Sequence, residues 1–121
     1  MIENISFPNI VPVITYYVGR NKEDNFHIID LASPNDIWIH AYQISSAHVI
    51  ISLPPNDENE ISFSKKQMRS MIKKGADLCK QYTNKIRDKK KVEFIYTKVK
   101  NVVKTEKIGE VKISNEKKII F

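Results

Sequence analysis

The side chains in this sequence that could hold a proton, a metal or a base are few, and several fall together. Asp36-Ile37-Trp38-Ile39-His40 sets a carboxylate, an indole and an imidazole at alternate positions, and His48 follows eight residues later. Extended chain rises about 3.3 Å per residue, so Asp36 and His40 on one strand stand about 13 Å apart and cannot alone form an acid–base dyad. His40 and His48 can meet if the chain reverses between them. Two imidazoles would then face a metal, but zinc needs three or four protein ligands and no third is evident. Trp38 reads first as a core anchor, with Asp36 and His40 bonding loop backbone, and second as part of a nucleic-acid contact. Arg20, in Gly19-Arg20-Asn21, could grip a phosphate or a carboxylate, although this segment lacks the phosphate-loop pattern. Cys79, the single cysteine, excludes an internal disulfide framework and a cysteine zinc site.

These residues need elements to position them. Residues 11–18 are β-branched and aromatic and predict a strand, with Pro12 at its start or on an edge. A short helix follows over about 24–32, stopped by Ser33-Pro34-Asn35. Asp36 to Tyr42 alternates, placing Asp36, Trp38, His40 and Tyr42 on one side and Ile37, Ile39 and Ala41 on the other. A turn at Ile44-Ser45-Ser46 and a second strand over 47–53 predict an antiparallel hairpin. Pro54-Pro55-Asn56-Asp57 then opens an acidic loop. Ser64 and Gln67 form a capping-box pattern, and Met68, Met71, Ile72, Gly75, Ala76, Cys79, Tyr82 and Ile86 recur at helical spacing. That pattern predicts one amphipathic helix over 64–86, ended by Arg87-Asp88-Lys89-Lys90-Lys91, whose cations suit its C-terminal dipole. Residues 92–99 form a further strand, Val102-Val103 extends or re-enters the sheet, and 109–114 is the last strand. On this reading Cys79 is a small core residue, and Lys98, Lys100 and Tyr96 share one strand face. The order of elements predicts a single α+β domain over residues 1–121 with a largely antiparallel sheet.

Charge is divided unevenly along the chain. The net charge is +6, but residues 1–63 hold two basic and eight acidic side chains, whereas residues 64–121 hold 18 basic and six acidic. Segregation of this size suits a polyanion, because neutralised phosphates release counterions. Lysines recognise phosphate as point charges, so such a surface brings affinity with little base specificity. No run of 18 apolar residues spans a membrane and no secretory leader is evident, so the expected location is the cytoplasm or nucleus.

Gly19-Arg20-Asn21, Asn25, Asn35 to His40, and Ser46-Ala47-His48-Val49-Ile50 resemble, in order, the core of the NFACT-R domain family. Val92 to Lys104 resembles its second signature and Gly109-Glu110-Val111 its last, so the likeness spans about residues 14–115. Many members read Pro-Gly-Ser-His where this chain has Ser45-Ser46-Ala47-His48, which alters the turn before His48. The Ser-Ser-Ala-His form is similar to the eukaryotic branch of coiled-coil domain-containing protein 25. That branch carries a charged coiled coil after the domain, and this sequence is expected to be the globular part alone. The resemblance implies an RNA-binding module, joined in larger relatives to domains that act on stalled large ribosomal subunits and peptidyl-tRNA.

The matched positions make Arg20, Asn21, Asp36, Trp38, His40, Ser46, His48, Lys98, Lys100 and Lys104 candidate nucleic-acid contacts, with Tyr96 added as a base-stacking residue. The expected function is non-catalytic binding of RNA, as tRNA or on the ribosome, with DNA as another possible ligand and no cofactor or metal. Two rival functions stay open: a nuclease or phosphotransferase using Asp36, His40 and His48, and a ribosome-associated adaptor that contacts partners through Asp57-Glu58-Asn59-Glu60.

Overall fold

The computed structural model describes residues 1–54 and 63–121. The acidic stretch 57–60 and most of the expected proline turn before it lie outside the described residues. Two strands open the chain, β1 (Ile2–Phe7) and β2 (Ile10–Gly19), followed by helix α1 (Lys22–Leu31). Strands β3 (Ile37–Ala41) and β4 (His48–Ser52) form the expected antiparallel hairpin. Helix α2 (Lys65–Gln81) leads to β5 (Glu93–Lys98), a 3₁₀ turn (Val99–Asn101), β6 (Val102–Lys104), β7 (Val111–Ile113) and β8 (Lys117–Ile120).

Six strands make one antiparallel sheet in the order β1-β2-β4-β3-β5-β8, and β6 pairs with β7 in a separate ribbon. This is the expected α+β architecture. Strand periodicity assigns each side chain to one of two faces. One face packs Tyr16, Val18, Ile37, Ile39, Val49, Ile51 and Phe94 against α2. Gly75 lies so close to Ile39 Cδ1 that a Cβ there would meet it, which seats the helix on the sheet. The other face packs Trp38, Ile50 and Ile95 against Ile28 of α1 and against Val102, Val111 and Ile113 of the ribbon. Ile28 is the buried apolar residue of α1, and Leu31 is exposed.

Several expectations need correction. No sequence pattern marks β1, because Met1 to Phe7 mixes apolar and polar residues without a buried face of its own; its burial only alternates between partial and exposed. Pro12 falls beside a register shift between Ile5 and Phe7, in the part of β2 that pairs only with β1, where a missing N–H costs little. The capping box forms as predicted, with the Gln67 N–H donating to Ser64 Oγ and the Ser64 N–H to Gln67 Oε1. The helix, however, stops at Gln81 and not at residue 86. Thr83 and Asn84 divert their side chains: Thr83 Oγ1 accepts from the Ala47 N–H, and Asn84 Oδ1 accepts from Arg87 Nη2. Ile86 still reaches the core, but through a turn, and Lys80 is the basic residue of the last helical turn. Lys98 and Lys100 do not share a strand face, because the 3₁₀ turn begins at Val99. The last strand of the sheet is β8, while residues 111–113 belong to the ribbon.

Candidate nucleic-acid interface

On the α1 face a pocket of about 530 Å³ opens between the start of α1, the sheet, the 42–46 loop and residues 107–113. Asn21 starts α1 by accepting the Asp24 N–H on its side chain. That cap brings Asn25 against the end of β2, and buried Asn25 Oδ1 accepts the backbone N–H of His48 at 3.1 Å. Gly19 is required there, since a Cβ would lie 2.8 Å from Asn25 Cα and 2.9 Å from its nitrogen. The loop before His48 is tied from both sides. Ser46 Oγ accepts the Ala41 N–H, Thr83 Oγ1 accepts the Ala47 N–H, and the Cys79 thiol donates to the Ala47 carbonyl. Burial pushes the Cys79 thiol up, in keeping with a protonated donor in the core.

Trp38, His40 and His48 stand together on the pocket floor. The Trp38 indole N–H donates to His48 Nδ1 at 3.2 Å, which leaves the His48 proton on Nε2. His40 stacks parallel to Trp38 with ring centres 5.6 Å apart, and it meets His48 edge-on at 4.9 Å. Burial lowers His40 to about 4, partly opposed by the Ala41 backbone; burial and then neighbouring His40 lower His48 to about 3. Both imidazoles are therefore neutral at pH 7. Among the described residues no group of three or more His, Cys, Asp or Glu side chains gathers as a metal site.

The structure divides the other expected site residues. Asp36 is outside the pocket: its carboxylate oxygens accept the Ser33 and Leu53 N–H groups, which holds two loops against the hairpin. Arg20 is exposed and lies 3.9 Å from Asp24. Lys104 Nζ is 2.6 Å from Asp30 and sits over the Phe26 ring, so its charge is already answered by helix α1. Tyr96 and Lys98 are on the α2 face, opposite the pocket, because they pair with Ile39 and Ile37. Lys100 is exposed on the 3₁₀ turn.

The pocket also gathers residues absent from the sequence-based set. Lys22, Lys107 and Glu110 line its mouth, with Lys107 Nζ 3.9 Å from the Glu110 carboxylate, and Tyr42, Gln43 and Ser45 form the hairpin side. Tyr42 was legible, since it continues the parity of Trp38 and His40, and Lys118 Nζ lies 4.0 Å from its ring centre. Lys22 and Lys107 carry no local signal, being 85 residues apart and brought together by Gly109, whose φ of +83° turns the chain against Lys22. The basic 85–91 turn is fixed at the same end of the sheet, through the Thr83–Ala47 bond and the Tyr42 N–H to Glu93 carbonyl bond.

Residues 8–115 match the model of the NFACT protein RNA-binding domain. The chain belongs to the NFACT RNA-binding domain family. A coiled-coil domain-containing protein 25 homolog from Dictyostelium discoideum is 28 % identical over 118 residues, covering 95 % of this chain and 54 % of that protein. Coiled-coil domain-containing protein 25 of Danio rerio is 40 % identical over 45 residues, 37 % of this chain and 22 % of its own. The Rqc2 homolog RqcH of Bacillus subtilis is 29 % identical over 92 residues, 75 % of this chain and 14 % of that protein. This NFACT domain thus spans about half, or less, of the curated relatives it matches. Its fold is similar to the C-terminal region of the fibronectin/fibrinogen-binding protein of Streptococcus suis, with a TM-score of 0.69 at 22 % identity, covering 88 % of this chain and 40 % of that one.

Proposed function

We propose that this NFACT domain binds unpaired RNA, in tRNA or ribosomal RNA, on its α1 face and without chemical turnover. The observation that carries the reading is the pocket: neutral aromatic rings on its floor and cations at its mouth. A base inserted beside Tyr42 and His40 gains stacking on a face that any base can use. The neutral His48 offers an Nε2–H donor toward such a base, and Lys22 and the 85–91 turn supply cations for the flanking phosphates. Lys107 and Lys118 add to them, since their 3.9 Å contacts to Glu110 and Glu93 are exposed and weak. The rim lysines set affinity and the pocket sets the requirement for an unpaired nucleotide.

Two features favour binding over turnover. A general acid–base pair working near neutrality needs proton affinities near the working pH, whereas His40 and His48 lie at about 4 and 3. Asp36, the acid of the enzymatic alternative, faces loop backbone. Fluorescence anisotropy with labelled oligouridylate, duplex RNA, tRNA and single-stranded DNA across a salt series tests the reading. Binding to the unpaired strands with a steep negative salt slope, weakened by His40→Ala and Tyr42→Ala, supports it; equal affinity for duplex and unpaired RNA refutes the pocket as the reader.

A further inference from the structure

The α2 face holds a second concavity, of about 640 Å³, that the RNA reading does not use. It lies between the first half of α2 and the ends of β3, β5 and β8, toward the opposite end of the sheet from the Trp38 pocket. Ile37, Met68, Ile72 and Ile119 line its floor, with Tyr96 beside them. Lys65, Arg69, Lys98 and Lys117 stand at its rim. Among the described residues no carboxylate lines it, and none of these four cations makes an ion pair.

We infer that this groove docks an acidic peptide segment of a protein partner, with large apolar side chains on the floor and carboxylates on the four cations. The chemistry separates this partner from nucleic acid. The apolar lining is mainly aliphatic, with Ile37, Leu53, Met68, Ile72 and Ile119 against two rings, Phe63 and Tyr96. Such a floor gains most from burying apolar side chains, while a nucleotide strand gains from flat ring platforms and phosphate contacts. Met68 contributes an unbranched, polarizable side chain that adapts to different anchors. Four cations without an ion-pair partner among the described residues, set around an apolar centre, reproduce the polar rim and dry core of protein interfaces and select for the opposite charge. The floor of this groove and that of the RNA pocket lie on opposite sheet faces, so one ligand segment does not fill both.

Random dodecapeptides displayed on phage, selected against the full chain, test the inference. Enriched peptides are expected to hold several carboxylates and at least one large apolar residue. Their synthetic forms should lose about tenfold in affinity for the Arg69→Glu, Lys98→Glu variant and stay within about twofold for Tyr42→Ala. Oligouridylate affinity should stay within about twofold in the charge-reversed protein. If that variant does not fold, Lys65→Ala with Lys117→Ala serves with the same readout and a smaller expected loss. Selection without acidic apolar peptides, or winners that bind charge-reversed protein as tightly as the original, overturns the inference. So does a tenfold loss of RNA affinity on charge reversal, which would make the groove a nucleic-acid surface.

Discussion

The two faces of the sheet handle aromatic rings and cations in contrasting ways. On the α1 face, Trp38 and the two imidazoles are joined through a hydrogen bond and ring contacts, and the lysines lining the pocket, Lys22 and Lys107, are 85 residues apart in the chain. On the α2 face, the floor is mainly aliphatic, with Phe63 and Tyr96 at its side, and the rim cations come from α2, β5 and β8. Basic residues concentrated in the second half of the sequence therefore lie on two surfaces of different chemistry. A count of lysines does not tell them apart; strand parity does.

Removing the largest ring on the α1 face breaks this contrast most severely. Trp38→Ala should destabilise the fold by about 3–5 kcal/mol through the cavity it leaves, measured by urea unfolding. Trp38→Phe keeps most of the volume but leaves His48 Nδ1 without its donor, for a loss of about 1–3 kcal/mol.

The same face should set the pH dependence. In the unfolded chain His40 and His48 titrate near 6.5, while in the fold they titrate at about 4 and about 3. Between those limits the unfolded chain binds more protons, so stability falls as pH falls below about 6.5. The slope reaches at most about 1.4 kcal/mol per pH unit for each histidine. His40→Gln should flatten it by about half in denaturation curves taken from pH 7 to pH 4.5. A slope unchanged by that substitution would place the titrating groups elsewhere.

Gly19→Ala sharpens the comparison by disturbing one face only. The added methyl meets the backbone of Asn25, which must shift together with the bond from Asn25 to His48. The expected cost is about 1–3 kcal/mol, with weaker RNA binding and an unchanged α2 groove, checked by unfolding and by anisotropy. The smallest effect belongs to Lys104→Ala. Its ion pair with Asp30 is partly exposed, so stability should change by less than about 1 kcal/mol, and RNA affinity should stay as it was.

Much of this architecture was legible in the residues. The alternation from Asp36 to Tyr42 placed Trp38, His40 and Tyr42 on one face, and the Ser64–Gln67 pattern located the start of α2. The meeting of His40 and His48 followed from the hairpin. Other features depended on contacts that no local pattern records. The end of α2 is set by Thr83, whose hydroxyl accepts an N–H from 36 residues away. β1 gains its identity from β2, and Lys22 and Lys107 become neighbours only when Gly109 turns the chain. Lys98 and Lys100 looked equivalent because the period of two was carried across the point where a 3₁₀ turn begins.

Unpaired RNA is proposed to be read on the α1 face. Anisotropy with labelled oligouridylate at low salt, comparing the unmodified protein with Tyr42→Ala plus His40→Ala and with Arg69→Glu plus Lys98→Glu, tests it most directly. The first pair should lose about tenfold in affinity, within the range of stacking on two rings, and the second should change little. Loss confined to the second pair would contradict this reading and move the RNA to the α2 groove.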